Sequence, residues 1–318
     1  MYKRQPDHYS VHLTLGSVFL DWGRLEDAQR ALEMADSIRP GDFRILWALS
    51  ILAMLRDEWD EAESIAASLL ESASPVSQRV GRYVRATVLG FRGHFTEVVR
   101  LIEQNIASNP DPRTRSDDHI ELASLYLEFD RPELALDHAE RSFEKAANAS
   151  FNRALRIAAL ALMRLGDTAG AFEKAEMLKE RAEHLPSDRE MRRWHQLRGE
   201  LALEGGDIDR AVSALEEARS LLPLGSMGAL SGSRVSILRA LAAADLAAGE
   251  DAKAEGLLEE ILNAGSERIM LPEVWVRSHY LLAQIHERRG DIDGARELYC
   301  RFYELWRDGD IDLSLIHI

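Results

Sequence analysis

One pattern recurs along almost the whole chain, and few folds can accommodate it. In each copy an apolar residue and a small residue are followed, three positions later, by an aromatic or apolar residue. A Gly or Asp comes next at a turn, then an Ala, with small or apolar residues four and seven positions beyond it. Such a period is the sequence signature of a repeat array. The first copy shows the pattern at Leu15, Gly16, Phe19, Gly23, Ala28, Leu32, Ala35 and Pro40.

The small residue after the turn sets the register of the repeats. It stands at Ala28, Ala62, Val98, Ala135, Ala171, Ala211, Ala254 and Ala295. Successive steps between these positions are 34, 36, 37, 36, 40, 43 and 41 residues. The longer steps predict loops or lengthened helices in the second half, among them residues 223–228 and 265–268. We therefore predict eight repeats, at residues 9–42, 43–76, 79–112, 116–149, 152–185, 192–225, 235–268 and 276–309.

Each repeat predicts two amphipathic helices, because apolar residues recur at i, i+3, i+4 and i+7. Small residues such as Gly199 let the paired helices approach closely. Gly-Asp pairs, as at Gly206-Asp207 and Gly290-Asp291, are typical of a turn that ends one helix and caps the next. No single unit can bury its apolar stripe alone, so neighbouring units must stack.

The pattern resembles the tetratricopeptide-repeat signature, and the resemblance covers nearly the entire chain. It implies an all-α fold, a right-handed superhelical solenoid of antiparallel helix pairs with about eight units. It also implies a non-catalytic module that binds a peptide segment of a partner in its concave groove. The third unit departs most from the pattern, with Val98 in place of Ala and Arg85 at a usually apolar position.

The two ends of the chain differ from the array. Residues 1–5 (MYKRQ) resemble the translation of a transposon-derived sequencing adaptor read from a GTG start codon, and residues 313–318 (LSLIHI) resemble the same adaptor read from its other strand. We therefore expect both segments to be adaptor residues, and residues 6–312 to be an internal fragment of a longer reading frame. The alternative is a natural frayed N-terminus and a short apolar tail.

The composition argues against several classes of protein. Of 318 residues, 46% are hydrophobic and 29% are charged, as in folded domains. The 54 Asp and Glu outnumber 39 Lys and Arg, a net charge of −15, so direct nucleic-acid binding is not expected. No apolar run is long enough to span a membrane, and no leader opens the chain. The cytoplasm is the expected compartment, unless truncation removed a leader or a membrane anchor.

No pattern of catalytic or metal-binding residues stands out. The pairs Asp207/Asp209 and Asp291/Asp293 resemble the start of a calcium loop but lack its later ligands, so we expect them to cap helices. The sequence has no phosphate-binding loop and no nucleophile elbow. The single cysteine, Cys300, lies on a helical stripe, where we expect it to be buried. We therefore expect no cofactor, no metal ion and no catalytic residue.

The concave groove that the resemblance implies is lined mainly by the first helix of each repeat. The lining positions are the second, fifth, ninth and twelfth of each repeat. They are mostly apolar or aromatic in the first half of the array and basic in the second half. The apolar half consists of Leu13, Leu20, Trp47, Ile51, Met54, Tyr83 and Ile120. The basic half consists of Arg153, Arg156, Arg193, Arg239 and Arg277, with Tyr280 and Gln284.

This change along the groove favours a partner that has an apolar stretch followed by carboxylates or phosphate. Apolar anchors supply buried area, while arginine forks bind oxyanions bidentately. The alternative is that the arginines pair only with Glu and Asp of neighbouring helices. The predicted partner is a protein or peptide, with or without an acidic segment, and the sequence leaves the oligomeric state open.

The last unit carries a second resemblance. Residues 278–283 (SHYLLA) and 301–308 (RFYELWRD) resemble the final repeats of large bacterial proteins in which a tetratricopeptide array follows a serine/threonine kinase, cyclase or DNA-binding domain. In such a parent the chain would be a regulatory or sensing region. That is the alternative to a free-standing interaction module.

Overall fold

The computed structural model describes residues 8–143, 148–184, 187–223 and 233–310, which form sixteen α-helices and one 3₁₀ helix and contain no strand. The α-helices come in eight consecutive pairs, which confirms the predicted all-α array. The end segments 1–5 and 313–318, and residues 224–228 of one predicted insertion, lie outside the described residues. Within the described ranges, no helix has both the length and the apolar character needed to cross a bilayer.

Each pair consists of a first helix and a second helix joined by a short turn. The first helices are α1 (Tyr9–Asp21), α3 (Phe43–Leu55), α5 (Pro75–Phe91), α7 (Pro112–Glu128), α9 (Asn148–Arg164), α11 (Asp188–Glu204), α13 (Ser233–Ala247) and α15 (Pro272–Arg289). The second helices are α2 (Leu25–Ile38), α4 (Trp59–Glu71), α6 (Phe95–Ser108), α8 (Pro132–Ser142), α10 (Thr168–His184), α12 (Ile208–Ser220), α14 (Asp251–Leu262) and α16 (Ile292–Trp306). The 3₁₀ helix, Gly265–Met270, lies between α14 and α15.

Five of the first helices, α5, α7, α9, α11 and α15, begin four residues before the predicted start of their repeat. Local capping explains three of these extra turns. Ser74 and Asp111 accept hydrogen bonds from first-turn N–H groups, and each precedes a Pro that suits the first helical position. Ser187 caps α11 in the same way. The five helices therefore have 17 or 18 residues, whereas α1 and α3 have 13.

The turns within the pairs use Gly and Asp as the sequence indicates. Gly206 and Gly290 follow α11 and α15 in the left-handed conformation, with φ of 78° and 83°, which Gly adopts without a steric penalty. Asp207 and Asp291 then accept hydrogen bonds from first-turn N–H groups of α12 and α16. Both carboxylates therefore cap helices.

The array closes on itself, because its last two repeats pack against its first three. The 3₁₀ helix contacts α1 and α3, and α15 contacts α5. The ring centroids of Phe91 and Trp275 are 5.6 Å apart, and those of Phe95 and Trp306 are 5.5 Å apart. All four rings belong to one hydrophobic core that also contains Ile269 of the 3₁₀ helix. A solenoid usually contacts only its sequence neighbours, so this closure is an added feature.

Polar contacts also join the last two repeats to the first three. Arg268 donates to the backbone carbonyl of Met54 at 2.8 Å and to Asp57 at 3.3 Å. Arg301 also donates to Asp57, at 2.5 Å. The Asp310 carboxylate accepts hydrogen bonds at the start of α6. We call these contacts between repeats one to three and residues 265–310 the seam.

Candidate functional site

The seam leaves a cavity of about 570 Å³ on the concave side of the array. Its walls come from the first helices α3, α5, α7, α9 and α11 and from the second helix α6, and residues 269–273 complete the lining. This volume lies within the range of about 300–1,000 Å³ that is typical of ligand sites. We call it the central cavity.

The central cavity is mainly apolar toward repeats two and three, where the two lining arginines, Arg44 and Arg79, are paired with Asp42 and Asp118. Phe43 and Trp47 of α3 and Val80 and Tyr83 of α5 line this part, together with Leu271 from the segment before α15. Trp47 is only partly buried, so part of its ring remains available for contact. This wall can bury aliphatic or aromatic groups of a ligand.

Tyr83 is held in position by Asp118 and Arg79. Its hydroxyl donates to the Asp118 carboxylate, which also accepts from Arg79 at 2.7 Å. The Arg79 guanidinium lies 4.7 Å from the centre of the Tyr83 ring. Burial, followed by the negative charge of Asp118, raises the pKa of Tyr83 well above its ordinary value. Tyr83 is therefore a fixed neutral phenol and not a nucleophile.

The central cavity is charged toward repeats five and six. Arg153 donates from both terminal nitrogens to Glu121 at 3.0 Å, and this carboxylate raises the pKa of the Arg153 guanidinium. Arg193 donates to Glu190 of its own helix at 2.9 Å. Arg189, one turn before Arg193, lines the cavity with an exposed side chain and forms no ion pair with any described residue.

A smaller cavity of about 60 Å³ shares Arg153 and Arg193 with the central cavity, and buried ion pairs surround it. Arg156 donates to both carboxylate oxygens of Glu200 at 2.8 Å. Nearby, Arg239 and Arg277 lie 3.4 Å and 3.5 Å from Glu128. Burial alone would raise the pKa of Glu128, but the surrounding arginines lower it, so this carboxylate stays charged.

Glu273 borders the central cavity at the start of α15, with only 5% of its surface exposed. Burial, followed by the negative charge of Glu128, raises the pKa of Glu273 to about 8. The Glu273 carboxyl is therefore mostly protonated at neutral pH, and it contributes a polar but uncharged group to the lining.

Comparison with known proteins identifies the fold. A family model described as tetratricopeptide repeat matches residues 276–299, which span most of α15 and the start of α16. The crystal structure of a Rap protein complexed with competence and sporulation factor superposes with a TM-score of 0.51 at 11% identity. That match covers 93% of this chain and 97% of the Rap chain. The chain therefore has the fold of a tetratricopeptide-repeat array.

A second solved structure agrees with this fold, and a third was compared. The APC/C hetero-tetramer Cut9–Hcn1 matches with a TM-score of 0.50 at 11% identity, over 99% of this chain and 56% of that chain. A tetratricopeptide repeat protein from Parabacteroides merdae matches with a TM-score of 0.42 at 16% identity, over 97% and 95% of the two chains. No curated protein matches the chain in sequence.

Three residues predicted for the apolar half of the tetratricopeptide-repeat groove are buried by the seam. Leu20, Ile51 and Met54 belong to the core cluster that contains Ile269. The 3₁₀ helix packs on α1 and α3, the two helices that carry these residues. They are therefore core residues and do not line an open groove.

The other four residues of the apolar half have three different positions. Trp47 and Tyr83 line the central cavity. Leu13 is partly buried at the edge of the first core cluster. Ile120 is fully buried in a second core cluster, formed by repeats four to six.

The residues predicted for the basic half are also divided. Arg153 and Arg193 line the central cavity, and Arg156 lines the smaller one. Arg239 and Arg277 belong to the ion pairs around Glu128. Tyr280 and Gln284 line neither cavity.

Sequence reasoning missed Phe43, Val80 and Arg189 as lining residues. Arg189 lies in the extra first turn of α11, ahead of the predicted repeat start at residue 192. The signal for that turn was present, since Ser187 is a suitable N-cap residue. The repeat boundaries were set only from the Ala that follows each turn, so the N-cap signal of Ser187 did not enter the prediction.

The lining residues offer binding groups and no recognisable catalytic set. The described residues contain no group of three His, Cys, Asp or Glu side chains placed to hold a metal ion. Cys300 lies on α16, away from both cavities, and is exposed, so its predicted burial is wrong. The central cavity combines an apolar wall, a fixed phenol and an unpaired guanidinium.

Proposed function

We propose that the chain is a non-catalytic interaction module that binds a short segment of a partner protein in the central cavity. Its fold is that of a protein–protein interaction scaffold. The observation that carries the proposal is the lining of the cavity, where Trp47 and Val80 provide apolar surface and Arg189 and Arg193 provide donors at the far side.

Two structural neighbours support a binding role for this fold. The Rap protein is complexed with competence and sporulation factor, and Cut9–Hcn1 is a hetero-tetramer of the APC/C. In the present chain the cavity is formed by packed helices before any partner arrives. A preformed site loses little conformational entropy on binding, which favours affinity for a short segment.

The chemistry of the lining favours a segment with both apolar and acidic residues. Apolar side chains would pack on Phe43, Trp47 and Val80, and an acidic group would accept hydrogen bonds from arginine. Closure of the array limits the length of segment that can enter, since residues 269–273 lie along the concave side. The resemblance of the last repeat to regions of larger bacterial regulators stays a prediction from the sequence.

A displayed library of random peptides, selected on the immobilised chain, tests the proposal. Thr87 lines the cavity and is half-buried, so Thr87→Trp should fill part of the apolar space. Gln104→Trp adds the same indole to the exposed face of α6 and is the matched control. Peptides selected on the parent should bind the control variant and should not bind Thr87→Trp. Equal binding to both variants, with both folded, would show that the cavity is not the binding site.

A further inference from the structure

The five arginines predicted to recognise a partner are all paired with carboxylates within the chain. Arg153 is paired with Glu121 and Arg156 with Glu200. Arg239 and Arg277 share Glu128, and Arg239 also approaches Glu200 at 3.5 Å. A ligand would have to compete with these carboxylates for the same donors. Arg193 is likewise paired with Glu190 at 2.9 Å. The five side chains are therefore poor candidates for binding an anion from outside.

Positive charge remains unbalanced at the start of α11. Arg189 has an exposed side chain and no ion pair among the described residues. Burial lowers the pKa of the neighbouring Arg193, Glu190 opposes this shift, and the charges of Arg189 and Arg153 add to it. Burial lowers the pKa of Arg192 as well, with Arg189 again contributing. An anion placed here would relieve repulsion between guanidinium groups.

The same part of the cavity limits how much negative charge it can accept. Asp117 and Glu121 both line it. Asp117 accepts a hydrogen bond from Ser150 at 2.6 Å, and Glu121 accepts from Arg153. These two carboxylates are fixed by their partners and would repel a second acidic group. Since Arg193 is already paired with Glu190, the arrangement can compensate one added negative charge, at Arg189.

We propose that the partner segment is compact and apolar and carries one acidic group, which binds Arg189 while the rest packs on Trp47, Val80 and Tyr83. This inference rests on the proposed function and specifies the chemistry of the partner. It replaces the expectation of an acidic run spread over five arginines with a single anion subsite. The subsite lies at one side of the central cavity.

A matched pair of fluorescent probes tests the charge requirement. Anilinonaphthalene sulfonate has two aromatic groups and one negative charge, and phenylnaphthylamine has the same aromatic groups without the charge. The parent chain should bind one sulfonate probe per molecule about tenfold more tightly than the neutral probe, the gain expected of a charge-assisted contact. Arg189→Gln should reduce the sulfonate affinity to that of the neutral probe. Arg189→Glu should weaken the sulfonate probe further and leave the neutral probe unchanged.

Two controls locate the probe. Arg210, on α12, is exposed and forms no ion pair with a described residue, so Arg210→Gln should leave both affinities unchanged. Ser124 is half-buried and borders both cavities, so Ser124→Phe should abolish binding of both probes. Melting temperatures establish that each variant is folded. Arg189→Gln in particular removes no described contact, so its fold should be intact.

Equal affinity of the parent for the two probes would overturn the inference, as would an unchanged sulfonate affinity in Arg189→Gln. Sulfonate binding that persists in Ser124→Phe would place the probe elsewhere and overturn it too. In each case selected peptides could still depend on Thr87, and the proposed function would stand. Conversely, loss of peptide selection with intact Arg189-dependent probe binding would contradict the proposed function and leave only an anion subsite at Arg189.

Discussion

The carboxylate of Asp310 accepts a 2.7 Å hydrogen bond from the backbone N–H of Phe95, a residue 215 positions earlier in the chain. The next N–H, of Thr96, donates to the same carboxylate at 3.0 Å. The N-cap residue of α6 is His94, whose side chain makes no capping bond. Asp310 thus acts as the N-terminal cap of α6 from the far end of the array.

Asp310→Ala should therefore destabilise the chain, although it changes a residue close to the C-terminus. Loss of a capping carboxylate lowers the free energy of unfolding by about 1 kcal/mol. Urea denaturation should show this decrease, and hydrogen exchange of the Phe95 and Thr96 amides should become faster. Asp308→Ala is the control, because Asp308 is exposed and its carboxylate pairs, among the described residues, with Arg307 alone. Equal losses in the two variants would argue against a cap across the seam.

The helix pairs could be predicted from sequence, and the seam could not, for a physical reason. The pairs follow from apolar residues three, four and seven positions apart, a local property of each repeat. The seam depends on residues more than 200 positions apart, such as Ser266, which donates to Asp21 at 2.6 Å. Asp57 and Arg268 lie in a turn and an insertion, where polar residues are ordinary in any sequence. No local pattern distinguishes them.

Asp57 receives two arginines across the seam, so its charge should contribute to stability. Asp57 has φ of 59°, a conformation that Asn tolerates, so Asp57→Asn removes the charge without new backbone strain. Arg268, with 12% of its side chain exposed, would lose its ion pair. We expect the free energy of unfolding to fall by about 1 kcal/mol, and less in high salt.

Asp130→Asn is the matched control for Asp57→Asn. Asp130 also has a left-handed backbone, with φ of 51°, and its nearest arginine nitrogen lies 3.8 Å away. Chemical denaturation of both variants at low and high salt separates the loss of the seam ion pairs from the general effect of replacing Asp by Asn at such a position. If Asp57→Asn proves no more destabilising than Asp130→Asn, the ion pairs of the seam contribute nothing measurable.

The candidate site was only partly predictable, for a related reason. Trp47, Tyr83, Arg153 and Arg193 follow from the repeat register and do line the central cavity. The register alone also predicts an exposed Met54, which is buried in the core cluster of the seam, where the 3₁₀ helix packs on α3. Sequence gives the helix face of a residue but not what packs on that face from a distant repeat.

Close packing within a repeat gives a third prediction. A Cβ atom on Gly199 would lie 2.6 Å from Cγ of Leu215 and 3.1 Å from the carbonyl oxygen of Ala211. Leu215 is fully buried, so α11 and α12 would have to separate. Gly199→Ala should lower the free energy of unfolding by about 1–3 kcal/mol, even though Ala favours a helix.

Gly256 provides the opposite case for the same substitution. It lies within α14, and a Cβ atom there would have no atom within 4 Å. Gly256→Ala should raise the melting temperature, because Ala is favoured over Gly in a helix by about 1 kcal/mol. Thermal melts of both variants, compared with the parent, measure these opposite shifts in melting temperature. A stabilising Gly199→Ala would show that α11 and α12 are not in close contact there.

The buried carboxyl of Glu273 predicts a pH dependence whose sign can be stated. Its pKa is raised from an ordinary 4.5 to about 8 by burial and then by Glu128, with Arg277 opposing and Glu121 adding to the shift. Between these pH values the unfolded chain releases the proton and the folded chain keeps it. The free energy of unfolding should therefore fall as pH rises through this window.

Glu273→Gln should remove this loss, because Gln keeps an uncharged polar group of the same shape. We expect the variant to gain stability over the parent as pH rises from about 4.5 to 8, on the order of a few kcal/mol at the upper end. Other titrating groups are common to both chains and cancel in the difference. Glu71→Gln, at an exposed carboxylate, is the control and should show no such gain. Denaturation at pH 5, 7 and 8 measures the difference, and a gain that shrinks with rising pH would mean that Glu273 is ionised in the folded chain.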